Sequence, residues 1–390
     1  MEVVAVCNAT DGGNDDMTTP MQERVRGARE SRATLRVAGR SHWLSAGRPV
    51  TATETLSTAN HSGVVDYVPG DLTITVRAGT TLAEIAAITG KEGQWFPVDP
   101  AGSDDGTIGA TVATASSGPL SHGFGTIRDL VLGVEFVTGE GKIVRGGGRV
   151  VKNVAGFDLV RLMTGSWGTL GIITEVSLRL YAVPARRTTM AMEAPTDTRR
   201  LGERLSALSD GRIMPFAMEL VSRDLAHLAG LPPRPMILME IGGNGAAVSA
   251  QRDEIAKLGA AVEVPADTWN KLRTIERKGN SVFRISGLPA RLAGRWERAQ
   301  HLAESTNGAL VHASVARGTV RCVLQAEPSA DIVNALSEQV DGETLIFESL
   351  PASLWAKLAP TAISDRVSQG IKKAFDPFDI LNRGILGPSL

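Results

Sequence analysis

The run Leu72-Thr73-Ile74-Thr75-Val76-Arg77 alternates apolar and polar side chains, which predicts a half-buried strand. After Ala78-Gly79, Thr81 is followed three residues later by Glu84, the pattern of a capping box. Leu82, Ile85, Ala86 and Ile88 give the helix it opens an apolar side. Residues 174–180 alternate again, with Val176, Leu178 and Leu180 set against Glu175, Ser177 and Arg179. Residues 131–137, a glycine-containing turn and 142–145 predict a hairpin. Residues 21–30 are charged and helical in pattern, and 34–38 read as a short strand running into a turn at Gly39-Arg40-Ser41-His42-Trp43. The first half is strands with a few helices, not a regular alternation of strand and helix.

Pro184-Ala185-Arg186-Arg187 breaks this pattern and starts a second region. Strands are expected over 214–220 and 236–241, and helices over 196–208 and 246–258, as a small antiparallel sheet with helices on one side. Val367, Ile371 and Phe375 recur at helical spacing in 364–375, which then stops at Asp376-Pro377. No internal repeat is visible.

With 390 residues the chain can bury a large core and is long enough for two domains or lobes. Basic and acidic side chains nearly cancel (41 against 42, formal net charge -1), so nucleic acid is not an expected partner. Cys7 and Cys322 are far apart and belong to no C-x-x-C pair, which argues against a disulfide framework and against a zinc or iron–sulfur site built by this chain. A reducing cytoplasm fits best, and no apolar run approaches bilayer-spanning length. Residues 1–20 lack a basic start and a long apolar stretch, so they read as a disordered leader, with Met17 and Met21 as alternative initiators.

Three segments are crowded with small residues: 106–118, 152–159 and 165–176. Glycine lets main-chain amides touch a ligand, and Ser and Thr hydroxyls add hydrogen bonds. Three such segments in one region suit a dinucleotide pyrophosphate, whose charge amides stabilise. Tight turns and close strand packing account for one such segment, but poorly for three.

Four stretches carry a family resemblance: Gly39-Arg40-Ser41-His42; Asp99-Pro100 leading to Gly106-Thr107-Ile108-Gly109; Arg128-Asp129-Leu130-Val131-Leu132-Gly133-Val134; and Lys152-Asn153-Val154-Ala155-Gly156-Phe157-Asp158-Leu159-Val160-Arg161. They resemble the FAD-binding family (PCMH-type) typified by vanillyl-alcohol oxidase and bacterial glycolate oxidase, and the last run resembles the E-type FAD-binding subunit of glycolate oxidase. The tail Phe375-Asp376-Pro377 with Ile380-Leu381-Asn382 closes many members. The resemblance is dense over 30–184, clear in the tail and loose between.

It implies an α+β protein: a two-lobed PCMH-type FAD-binding domain over 21–184, an α+β cap domain over 185–340, and a C-terminal segment, 341–390, returning to the first domain. FAD would lie extended between the lobes, its isoalloxazine toward the cap. The implied cofactor-binding residues are Gly39, Arg40, Ser41, His42, Trp43, Pro97, Asp99, Gly106, Thr107, Ile108, Gly109, Ala110, Ala113, Ser116, Ser117 and Gly118, then His122, Gly123, Arg128, Asp129, Lys152, Asn153, Gly156, Asp158, Gly168, Gly171, Ile172 and Ile173. Gly109 is expected to admit the cofactor closely, so that a carboxylate there would clash with it and repel its phosphates. The flavin would supply the redox chemistry, taking a hydride equivalent from a small 2-hydroxy acid such as glycolate. Partners implied are a second FAD-binding subunit and an iron–sulfur subunit, with membrane contact at most peripheral, at the inner face of the cytoplasmic membrane.

The chain departs from catalytic relatives that carry a His-x-x-Asp-Gly-Asn-x-His-like run in the cap. Its counterpart here, Val311-His312-Ala313-Ser314-Val315-Ala316-Arg317-Gly318-Thr319-Val320-Arg321, keeps one histidine, so no metal site is expected. His312 is a candidate base for a hydroxyl proton, against a structural role in a strand. Arg317 and Arg321 are candidate carboxylate anchors, against solvated strand arginines. His42 is either a covalent attachment point for the flavin or, the reading adopted here, a polar loop residue beside noncovalent FAD. His122 is either a flavin ligand or a surface loop residue. Gly242-Gly243-Asn244-Gly245 lacks the third glycine of a dinucleotide loop and reads as a strand-to-helix turn. Beside the subunit reading stand a self-sufficient flavoenzyme for another hydroxy acid or a sugar lactone, and a structural subunit that has kept only the fold.

Overall fold

A computed structural model describes residues 18–148, 157–275, 281–304, 308–338, 341–358 and 365–387. The run 152–156, with Lys152, Asn153 and Gly156, lies outside the described residues, as does 1–17 of the expected leader. A helix already begins at Thr18, so 18–20 belong to it rather than to a leader.

The first lobe is small. The helix Thr18–Ser31 buries Met21, Val25 and Ala28 beside a parallel pair of strands, Leu35–Ala38 and Glu54–Ser57. Leu381 adds a parallel bridge to Leu35, so the C-terminal tail extends this pair.

The second lobe is an antiparallel sheet of five strands in the order Val64–Val68, Thr73–Arg77, Ile172–Arg179, Val131–Val137, Ile143–Gly147. The strand over 72–77, the strand over 174–180 and the hairpin expected from period-two patterning are all present. The predicted capping box also forms: the Glu84 N–H donates to the Thr81 hydroxyl at 3.1 Å, and the Thr81 N–H donates to the Glu84 carboxylate at 2.7 Å. This lobe's core is Ile74, Val76, Ile85, Ile108, Val112, Val134, Phe136, Val176 and Leu178 with their neighbours.

The cap is larger than expected. Its sheet has eight strands, in the order Ala261–Val264, Arg186–Glu193, Met236–Gly243, Ala217–Val221, Leu310–Ser314, Thr319–Leu324, Ser281–Gly287, Glu343–Ser349. Nor are its helices on one side. Thr198–Leu208, Gly245–Leu258, Leu292–Glu304, Ala330–Ser337 and Ala352–Leu358 bury their apolar residues on one face. Arg223–Leu228 and Asp267–Ile275 pack on the other face, together with Leu120, Trp95 and Phe124 of the second lobe. The missed strands carry Arg284, Arg321 and Glu348 among their apolar residues, which hides their alternation from hydropathy.

The boundary expected at 340 also moves. Glu343–Ser349 pairs with Ser281–Gly287 and belongs to the cap sheet. The return begins later, with the helix Arg366–Phe375. Lys372 Nζ then donates to the carbonyl of Thr169 at 3.0 Å, and the Gly139 N–H donates to the carbonyl of Phe375 at 2.9 Å, fastening the tail to the second lobe.

Candidate functional site

The strand Leu35–Ala38 runs out into the loop Gly39-Arg40-Ser41-His42-Trp43, where Ser41 takes a left-handed φ of 68°. The amides of Arg40 and Ser41 donate to no acceptor among the described residues, although they line a cleft between the lobes. Facing them is the helix Ile108–Thr114, whose first turn is capped by the Thr107 hydroxyl accepting from the Ala110 N–H at 3.4 Å. Gly109, Ala110, Ala113 and Thr114 present a surface of small side chains to the cleft. A Cβ on Gly39 would overlap Thr107 Oγ1, so the two loops meet as closely as backbone allows. His42 Nε2 lies 3.2 Å from the Asp105 carboxylate and ties the same loops together. Gly168, Gly171, Ile173, Asn382 and Ile385 complete the walls.

These residues fit a dinucleotide. Unsatisfied amides in a left-handed turn suit a pyrophosphate, and the small-residue wall admits its close approach. FAD, when bound, would be held by Gly39, Arg40, Ser41, Gly106, Thr107 and Ala110, with Ser116 and Ser117 further along.

Trp43 and Trp167 stand edge to face, 6.2 Å apart, where this cleft opens into a second chamber beneath the cap. Its floor is 114–117 and its roof carries Arg284, Arg321, Phe347 and Glu348, with Trp355 at the side. Strand register sets the roof: His312 is opposite Arg321, and Arg321 is opposite Arg284, so the three stand abreast on neighbouring strands. Arg321 is ion-paired with Glu348, and Arg284 Nε lies 3.7 Å from the same carboxylate. His312 Nδ1 meets Glu219 at 2.8 Å on the adjoining strand. Arg317, in the turn between the strands of His312 and Arg321, makes no side-chain hydrogen bond or ion pair with any described residue. Burial lowers its pKa from the usual arginine range; Arg284 and Arg321 push the same way, and Glu219 and Glu348 oppose them. Arg284, Glu219 and Glu348 escaped the sequence reading; the one available signal was charge inside otherwise apolar strands.

The remaining site residues lie away from both spaces. Asp99 is buried, accepts the Leu120 N–H at 3.0 Å, and packs so tightly on Gly118 that any side chain there would overlap its carbonyl. Burial raises its carboxyl well above the ordinary range, with Arg273 and the Leu120 N–H opposing. Pro97 is buried beside it in sequence, and Ile108 and Ile172 are core residues of the two lobes. Asp129 caps Thr126, Asp158 caps Arg161, and Arg128 is exposed on the helix between. Gly123 lies against the backbone of Pro215 and Phe216 in the cap, and His122 lines a separate groove there. Burial lowers the His122 pKa. Gly109, although in the cleft wall, directs its missing side chain at Ala78, 2.7 Å away, rather than at the cofactor. Cys322 is buried, its thiol pushed up to about 12 by desolvation. Among the described residues no group of His, Cys, Asp or Glu is arranged for a metal ion, and no helix is long and apolar enough to cross a membrane.

The two lobes, the cleft and the cap define a flavoprotein of the PCMH-type FAD-binding fold. The model of a family described as FAD binding domain matches residues 18–147. Among solved structures, 4-ethylphenol oxidase from Gulosibacter chungangensis superposes with a TM-score of 0.72 over 95% of this chain and 88% of its own, at 15% identity. A substrate-bound p-cresol methylhydroxylase does so at 0.69, over 95% and 87%, also at 15% identity. In sequence, the glycolate oxidase subunit GlcE of Escherichia coli is 34% identical over 66% of this chain and 69% of its own length. The chain belongs to this family of glycolate oxidase subunits and is an FAD-dependent oxidoreductase. It is also 33% identical to the subunit GlcD of Bacillus subtilis, over 50% of this chain and 43% of that one, and 25% identical to an Archaeoglobus fulgidus D-lactate dehydrogenase, over 79% and 75%.

Proposed function

We propose that this chain is the FAD-binding subunit of a complex that oxidises a small 2-hydroxy acid, glycolate to glyoxylate being the reaction first expected. The observation that carries this reading is the guanidinium cluster at the roof: Arg284 and Arg321 line the chamber that continues the FAD cleft, and the half-buried Arg317, which makes no side-chain hydrogen bond or ion pair with a described residue, is near enough to feel their charge and that of Glu219 and Glu348. Such a guanidinium matches a substrate carboxylate in charge and fork geometry. FAD would accept the hydride equivalent. Arg317 and Arg321 would hold the carboxylate over the floor at 114–117, and His312, oriented by Glu219 on Nδ1, would take the hydroxyl proton at Nε2. The FAD is held without a covalent link, His42 serving as a loop residue paired with Asp105.

The partners that suit this reading are a second FAD-binding subunit and an iron–sulfur subunit, since neither cysteine belongs to a pair that could hold a cluster. The site would then face the cytoplasm, with any membrane contact made through partners. A second reading, in which turnover resides in the partner flavoprotein and this chain is structural, is favoured by the single histidine in the run 311–321. The deciding experiment is glycolate-dependent dye reduction by the three subunits together, then with this one omitted, then with its His312→Asn variant. Loss in both cases supports a catalytic subunit; loss only on omission supports the structural reading; unchanged activity without the chain defeats both.

A further inference from the structure

The tail meets both walls of the cofactor cleft at Asn382. The Asn382 side-chain carbonyl accepts the N–H of Val37 at 2.8 Å, and its amide NH2 donates to the carbonyl of Trp167 at 2.6 Å. Val37 belongs to the first lobe and Trp167 to the second, and Val37, Trp167 and Asn382 all line the cleft. The backbone on each side is equally committed. The Asn382 N–H donates to Leu35 at 2.9 Å, and the Trp167 N–H donates to Ala113, in the helix of the facing wall, at 2.8 Å. Trp167 is held at a φ of 54° and Asn382 at 44°, left-handed values that a bulky residue such as tryptophan seldom adopts without being over-determined by its surroundings. A Cβ on Gly168 would lie 2.7 Å from Asn382 Nδ2, so the glycine leaves room for the amide.

We propose that Asn382 is a positioning residue that sets the width of the FAD cleft, by using one donor and one acceptor to join its two walls. The requirement is specific. A carboxylate could still accept from Val37 but would set a lone pair against the Trp167 carbonyl, whereas a protonated carboxyl could restore the donor.

The test is FAD affinity, measured by flavin fluorescence on the purified full chain, at about pH 8 and about pH 5.5. Asn382→Gly keeps a left-handed residue and removes both bonds; its affinity falls roughly tenfold to a hundredfold at either pH. Asn382→Asp falls by a similar factor at the higher pH and regains part of it at the lower, because position 382 is buried against the Trp167 carbonyl and a carboxyl introduced there takes a proton above its ordinary range. Recovery in one sample shows that the variant is folded. The charged and titratable groups near this junction are Arg36, Arg40 and His42 of the first lobe, with Asp105 beside His42, and Lys372, Asp376, Asp379 and Arg383 of the tail; all are common to both variants and cancel in the comparison. The proposal fails if Asn382→Asp binds FAD like the unaltered protein at the higher pH, or if its deficit does not change with pH. It also fails if Asn382→Gly binds normally.

Discussion

The N–H of Gly47, in the first lobe, donates to the backbone carbonyl of Glu348, in the cap, at 2.7 Å. The carboxylate of the same Glu348 is the counter-ion of Arg321. One cap residue therefore ties the roof of the chamber to the wall of the cofactor domain and also sets the charge of that roof. Glu348→Gln keeps the backbone bond and removes the charge. Arg321 and Arg284 then face the chamber without their shared carboxylate, so a non-reactive anion such as oxalate is expected to bind several-fold more tightly in titration calorimetry. The melting temperature should fall, because breaking a largely buried pair costs about 3 kcal/mol. Weaker oxalate binding in this variant would show that Glu348 does not oppose the ligand.

Arg317→Gln separates binding from folding. Losing a charge-assisted carboxylate contact raises KM for the 2-hydroxy acid roughly tenfold to a hundredfold. Thermal stability should stay level or rise, since Arg317 makes no side-chain hydrogen bond or ion pair with a described residue and a partly buried charge is removed. A destabilised variant with an unaltered KM would assign Arg317 to structure alone.

His122 predicts an acid limb of stability. Burial holds its folded pKa below the ordinary value of 6.5, so the unfolded chain takes up the proton first. Its contribution is complete above that value and is lost as pH falls through it toward the lower folded pKa. Melting curves of His122→Asn should lose that part of the slope below about pH 6.5. A slope identical to that of the unaltered protein would mean that the imidazole titrates normally.

Gly109 predicts a defect that needs no cofactor. A methyl group would press on Ala78 Cβ at 2.7 Å and on its carbonyl at 2.9 Å, and backbone cannot yield there cheaply. Gly109→Ala should therefore lower the stability of FAD-free protein by about 1–3 kcal/mol in urea melts, with weaker FAD loading as a consequence. Full stability without FAD but failed loading would return Gly109 to the role expected from sequence, direct approach to the cofactor.

What the sequence determined by itself was local. Thr81 and Glu84 are three residues apart, so their capping box is written in the chain, and the alternation in 72–77 and 174–180 survives because those strands bury one apolar face. The small-residue loops were legible for the same reason, since backbone exposure is a property of residue type. Tertiary structure decided the rest. His312, Arg321 and Arg284 come abreast only through the register of three strands, two of them joined by a short turn and the third from earlier in the chain. Hydropathy could not show them, because charges on an inward face interrupt the alternation that identifies a strand. Asn382 reaches Val37 across 345 positions, and Glu348 reaches Gly47 from the far end of the cap. Pairings at such separation follow from which surfaces bury apolar area together, and that is a property of the packed molecule, not of any segment within it.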